Sequence, residues 1–397
     1  MKQKNIRLFF AHEALFQMSD AMLTILLPIF IYKLFHSISA VFLFTFAWNL
    51  IYGHLFIPIF SLAMKSKRPK YFMALGMVFY SVALALFSQA IPEKSYWVIP
   101  ATLAFSLYVS FYWMVRHWFF SVNASHQIIG KQISALAILR IAISFLGPVI
   151  GGLVSYFISF NAALFLGSVA GALSIIPILL FDAPPHPRGY TWKKVKWILG
   201  KKEYKAMRPA YFLEGFYAYM VGFAWILAFY IFIGNIKQLG ILEGVSYLVA
   251  VILTALAGHW FDRKNRIKLL AKTTNAKLLG SLLMASVFFF PHMAYIWGVN
   301  IFNRFAGSMQ QTVVDSYLFG YSSKIHPVRF HLNREVHLTI ARFLCSGMMA
   351  VLFYYLPPTA LWPIIGLGSF TALGWLTIGK SDYLLHGIKA KKNGKMV

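Results

Sequence analysis

The 397-residue sequence predicts an all-α integral membrane protein, with twelve transmembrane helices in two pseudo-symmetric six-helix bundles. Three observations carry that prediction. Apolar residues make up 59% of the chain and charged residues 12%, against about 25% charged in a soluble domain. The apolar residues run in stretches of membrane-spanning length, and landmarks of the first half return roughly 200 residues later. An ordinary soluble globular protein is excluded.

A bilayer core about 30 Å thick takes roughly 20 apolar residues to cross as a helix. On that measure the spans are 7–35, 38–63, 70–91, 95–121, 129–157, 160–181, 208–234, 238–260, 267–290, 293–321, 333–356 and 360–379. The first carries Glu13 and Asp20 and lacks a short apolar run followed by small residues, so it reads as a span and not as a cleavable signal. An even number of crossings puts both termini on one side, and the Lys/Arg bias chooses which. Thirty of the 37 cations fall at the chain ends and in the even-numbered loops, including Arg263 to Lys277 and Lys324 to Arg334. Only Lys33, Lys94 and Lys237 lie opposite, so both ends are expected in the cytoplasm, in a plasma (inner) membrane.

The net charge of +26 is then a matter of topology and of attraction to anionic lipid at the cytoplasmic face, about 1 kcal/mol per surface cation. Nucleic acid is not an expected partner. The remaining cations, Arg116, Arg140, Arg304 and Arg342, fall inside spans. Cys345 is the one cysteine, so there is no disulfide framework and no CxxC metal site. Neither a metal nor a cofactor is expected, and the chain is read as a monomer.

The longest polar stretch holds Pro184, Pro185, Pro187 and Gly189. It divides an N-terminal bundle (1–181) and a basic linker (182–207) from a C-terminal bundle (208–380) and a basic tail (381–397). In the linker Trp192, Val195 and Leu199 are spaced at i, i+3 and i+7 among lysines, which suits a short helix in the headgroup region or a solvated connection. A shift of 201 residues overlays Glu13 on Glu214, and a shift of 202 overlays Arg140 on Arg342. Coincident offsets mark a duplication, and duplicated bundles flanking a midplane site are the architecture of secondary transporters.

Two motifs extend the picture. GHWFDRKNR, Gly258 to Arg266, is similar to the G-x-x-x-D-R-x-G-R loop of the major facilitator superfamily, with Asn265 at the second glycine. GPVIGG, Gly147 to Gly152, resembles the end of the G-x-x-x-G-P-x-x-G-G motif of exporters in that family, with Ile143 at the first glycine. With its spans, cytoplasmic ends and basic central loop, the chain resembles that superfamily over essentially its whole length. The resemblance implies a cytoplasmic latch at Asp262, Arg263 and Arg266; the copy in the first half has Lys65 where the aspartate belongs. Pro148 removes a backbone donor, and Gly147, Gly151 and Gly152 permit close helix approach, which makes the stretch a helix-packing motif as well.

An ionisable group in lipid costs at least about 2.5 kcal/mol, so such residues face partners or a wet cavity. At about 1.5 Å per residue, Asp20 and Arg304 both lie near the midplane. The resemblance implies that the first, fourth, seventh and tenth helices line a central cavity, so these two would face each other across it. Gln17 and Thr24 flank Asp20 on one helix face; Ser308, Gln311 and Asp315 continue the Arg304 stripe; Tyr108, Tyr112 and Arg116 form a third. Asp20 is the candidate for taking up and releasing a proton, with a fixed Asp20/Arg304 or Asp20/Arg116 pair as the plainer alternative. Glu13 is expected to pair with Arg140 and Glu214 with Arg342, as gates or static braces, and Arg116 to meet Asp315 across the cavity floor. Trp48, Trp113 and Trp225 lie deep in their spans, as core or as pocket lining.

A secondary transporter working by alternating access is thus the leading reading, proton-coupled and with export ahead of uptake. Organic-anion uptake or exchange through Arg304 and Arg116 is the alternative, and a transporter-like sensor or scaffold a further one. No GxSxG, HExxH or GxxxxGK motif occurs, which speaks against an intramembrane enzyme.

Overall fold

The computed structural model describes residues 2–66, 68–123, 129–182, 192–261, 266–324 and 327–378, and helices are the only regular structure among them. The first half comprises α1 (Lys2–Phe35), α2 (Ile38–Lys65), α3 (Pro69–Phe87), α4 (Val98–Asn123), α5 (Ile129–Phe157) and α6 (Phe160–Leu173). A linker helix, Trp192–Gly200, follows, with Val195 and Ile198 buried. In the second half α7 joins Arg208–Tyr217, a π-helical stretch Ala218–Phe223 and Ala224–Ile233. Then come α8 (Ile236–Phe261), α9 (Arg266–Ser286), α10 (Met293–Lys324), α11 (Pro327–Tyr355) and α12 (Leu361–Ser369), which runs on as a 3-10 stretch, Phe370–Trp375.

Local chemistry sets several of these ends. Ser37 and Ser159 accept hydrogen bonds from the amides of Ala40 and Ala162, capping α2 and α6. Pro69 occupies the first turn of α3, where its missing N–H costs nothing. Gly234 ends α7 in the left-handed region, φ +76°, where a Cβ would be strained.

By length and composition 10 segments among the described residues can cross a membrane; α9 and α10 fall outside that set. Lys268, Lys272 and Lys277 dilute α9, and the polar stripe from Asn303 to Asp315 dilutes α10. Of the cations counted with loops, Lys277 and Arg334 lie well inside their helices. Lys277 is about three turns into α9, and Arg334 about two turns into α11, which starts at Pro327 and not at 333. The helices continue past the apolar stretch because buried side chains such as Phe330 and Leu332 still hold their first turns.

The halves meet along two seams, α2 with α11 and α5 with α8. On the first, Phe42 stacks on Phe353 (5.9 Å) and Phe46 on Phe343 (4.6 Å), and Ser39 Oγ donates to the Ala350 carbonyl at 2.7 Å. The second depends on glycine. A Cβ on Gly152 would lie 3.1 Å from Gly240 Cα, and one on Gly240 would lie 2.5 Å from the Pro148 carbonyl. Gly147 and Gly151 turn instead to α1, against Ala21 and Leu26. The GPVIGG stretch therefore clamps α5 on two sides. Between the seams lies a cavity of about 470 Å³.

Candidate functional site

The cavity sits between the bundles, and contacts across the halves lie toward both of its ends. On the side away from the linker, the rings of Tyr32 and Tyr230 lie 6.4 Å apart. On the linker side His117 of α4 stacks on His331 of α11 (5.0 Å, 10°), and Ser121 Oγ lies 3.1 Å from His331 Nε2. The α7 π-helical stretch supplies Tyr219 and Phe223 to the wall, facing Trp48, Phe105 and Trp113 from the first half. Trp225 is buried elsewhere, its Nε1 donating to Asn300 Oδ1 at 3.1 Å.

The embedded charges are organised more fully than the sequence indicates. Glu13, 1% exposed, receives Arg116 Nε and Nη2 at 2.6 and 2.7 Å and Arg140 Nη2 at 2.6 Å. The expected Glu13/Arg140 pair is present, but Arg116 joins it. That engagement removes Arg116 from Asp315, whose Oδ1 instead accepts from Gln311 Nε2 at 2.9 Å. In the second half Arg334 lies between two carboxylates, Glu335 at 3.0 Å and Glu214 at 3.4 Å. Arg334 thus occupies Glu214, and the expected Glu214/Arg342 pair is absent. Arg342 turns to the cavity wall with no ion pair among the described residues.

Arg304 does not face Asp20 as a partner. Glu243 of α8, fully buried, holds it at 2.6 Å, and the guanidinium lies 4.8 Å from the centre of the Tyr247 ring. Asp20 is at the wall, together with Thr24, and has no ion pair among the described residues. Neither fixed pair considered for it is present.

Of the other expected wall residues, Tyr108, Arg116, Gln311 and Asp315 line the cavity. Gln17, Tyr112 and Ser308 do not. Gln17 Nε2 donates to Ser144 Oγ at 3.2 Å, tying α1 to α5, and Tyr112 Oη lies 2.7 Å from His12 Nε2. A stripe at i, i+4 and i+7 drifts around its helix, so its members divide between wall and core. The loop residues Asp262 and Arg263, and the Arg266 side chain, lie outside the described residues.

Sequence reasoning missed Glu243, Arg334 and Glu335. A usable signal existed for Glu243 and Glu335, since both fall inside predicted spans. Arg334, the second residue of its predicted span, escaped because it was counted with the cations of the adjoining loop. Among the described residues no group of His, Cys, Asp and Glu has an arrangement for a metal ion.

Two helical bundles flanking a partly charged, aromatic-walled cavity are the architecture of secondary transporters. The family follows from the sequence itself. The chain belongs to the Major Facilitator Superfamily, whose family model matches residues 11–325. Among solved structures it is similar to the human organic anion transporter MFSD10 (TETRAN), at TM-score 0.67 and 11% identity over 95% of this chain and 99% of that one. It is also similar to a bacterial homologue of the iron transporter ferroportin in its inward-facing state, at TM-score 0.63 and 11% identity over 96% and 98% of the two chains. No curated protein sequence matches it. The chain is an integral membrane transporter and not an enzyme.

Proposed function

We propose that the protein is a proton-coupled secondary transporter that exports a small amphipathic solute by proton antiport and alternating access. It works as a monomer in a plasma (inner) membrane, with both termini cytoplasmic and the basic linker helix against anionic lipid. The observation that carries the reading is Asp20. Glu13, Glu214, Glu243 and Glu335 each have a guanidinium within ion-pair distance, whereas the Asp20 carboxylate lines the cavity without one. A carboxylate in that setting can lose its charge to a proton without leaving a buried cation behind. Export is supported by the likeness of Gly147, Pro148, Gly151 and Gly152 to the exporter motif.

The test begins with a solute found by thermal stabilisation of the purified protein at two pH values. In proteoliposomes, Asp20→Asn should abolish accumulation driven by a pH gradient while leaving solute exchange. Undiminished gradient-driven accumulation removes Asp20 from the mechanism.

A second reading is organic-anion uptake or exchange. Arg304 and Arg116 are both held by carboxylates and do not support it, but the unpaired Arg342 at the wall does, as does the likeness to MFSD10.

A further inference from the structure

We infer that Arg342 is the anchor for an anionic group on the transported solute, which makes that solute a small organic monoanion with an aromatic or apolar body. The inference rests on reading the cavity as the solute site.

Five guanidinium groups line the cavity, and four of them are committed: Arg116 and Arg140 to Glu13, Arg304 to Glu243, and Arg334 to Glu214 and Glu335. Arg342 alone has no carboxylate among the described residues. A guanidinium carries five N–H donors in a fixed fork that matches a carboxylate, and an unpaired cation at membrane depth is costly.

The neighbouring hydroxyls do not supply a substitute. Tyr52 Oη donates to Glu335 Oε2 at 3.0 Å, and Tyr219 Oη accepts from Asn49 Nδ2 at 2.6 Å. From the first half Tyr108 also lines the cavity, with its Oη buried and without a hydrogen-bond partner. Trp48, Phe105, Trp113 and Phe223 contribute aromatic side chains to the same cavity lining, suited to an apolar body. One uncommitted cation matches one negative charge; a dianion would bring a second charge with no cationic partner.

The test uses three probes of one shape and different charge, benzoate, benzyl alcohol and benzylamine, titrated into the purified full chain at neutral pH by calorimetry. Benzoate should bind at least about tenfold more tightly than benzyl alcohol, and benzylamine more weakly than either. Arg342→Gln should erase the benzoate advantage, while Arg342→Lys, which keeps the charge, should retain part of it. Thermal unfolding of each variant reports folding, and the lysine variant carries the test if the glutamine variant does not fold. Gly298→Ala, outside the cavity and with open space around its Cβ, should bind benzoate as the unaltered chain does. A benzoate affinity no better than that of benzyl alcohol, or one unchanged in folded Arg342→Gln, overturns the anchor. Proton coupling that survives Asp20→Asn overturns the proton site alone and leaves the Arg342 anchor standing.

Discussion

Glu13→Gln is the sharpest perturbation of this fold. The substitution keeps the shape of the side chain and removes the one negative charge shared by two guanidinium groups. Glu13 is 1% exposed and Arg116 3%, whereas Arg140 at 29% has partial access to water. Breaking a buried pair by removing one partner costs about 3–5 kcal/mol, because the remaining charge is left uncompensated. The internal comparison is Glu214→Gln. Its contact to Arg334 is 3.4 Å, both side chains are 15–20% exposed, and Arg334 keeps Glu335; about 1 kcal/mol is expected there. Cys345 is the only thiol and is buried, so a thiol-reactive fluorophore reports unfolding during a thermal ramp in detergent. Glu13→Gln should lower the transition several-fold more than Glu214→Gln. Equal shifts, or a larger one for Glu214→Gln, would refute the claim that the α1–α4–α5 triad is the tighter network.

The same assay checks three further expectations. Arg304→Gln should destabilise by about 3–5 kcal/mol, since it leaves the fully buried Glu243 without its cation. Gly240→Ala should cost about 1–3 kcal/mol by overpacking the α5–α8 seam, whereas Gly298→Ala, where a Cβ would meet nothing, should be neutral or stabilising by up to about 1 kcal/mol. Trp225→Phe should cost about 1–3 kcal/mol through the orphaned Asn300 acceptor.

Apolar run length made the helices legible in the sequence, and the shared offset between halves made the duplication legible. Both are properties of one chain read along its length. What was not legible was partner choice. Glu13 and Arg140 could be paired on paper because each half supplies one acid and one base at matching positions, but Arg116 competes for the same carboxylate from a third helix. Arg334 does the same in the second half once α11 is seen to start at Pro327. A charge pair is set by three-dimensional competition among all nearby ions, and one-dimensional spacing names the competitors without ranking them. Gly240 is the packing equivalent: with Gly244 it forms a GxxxG on α8 that sequence reasoning passed over, and spacing alone does not name α5 as the helix it meets.

The distribution of these contacts bears on how the halves would part. Glu13, Arg116 and Arg140 all belong to the first half, and Glu214, Glu243, Arg304, Arg334 and Glu335 all belong to the second. Across the cavity run neutral or neutral-to-ion hydrogen bonds, such as Asn49 to Tyr219, Ser121 to His331 and Tyr52 to Glu335, with His117 Nε2 facing Glu335 at 3.8 Å. A hydrogen bond of that kind contributes roughly 0.5–3 kcal/mol, less than a buried ion pair costs to break. The ion pairs therefore brace each bundle internally, and the polar links across the cavity are weaker ones, as the proposed alternating access would require. Tyr52→Phe removes one such link while keeping the ring, and Glu335 retains Arg334. The variant should widen the distance between spin labels on the linker-side ends of α4 and α11, with little change in thermal stability. A large loss of stability with unchanged distances would show that Tyr52 braces the fold and does not hold the halves together.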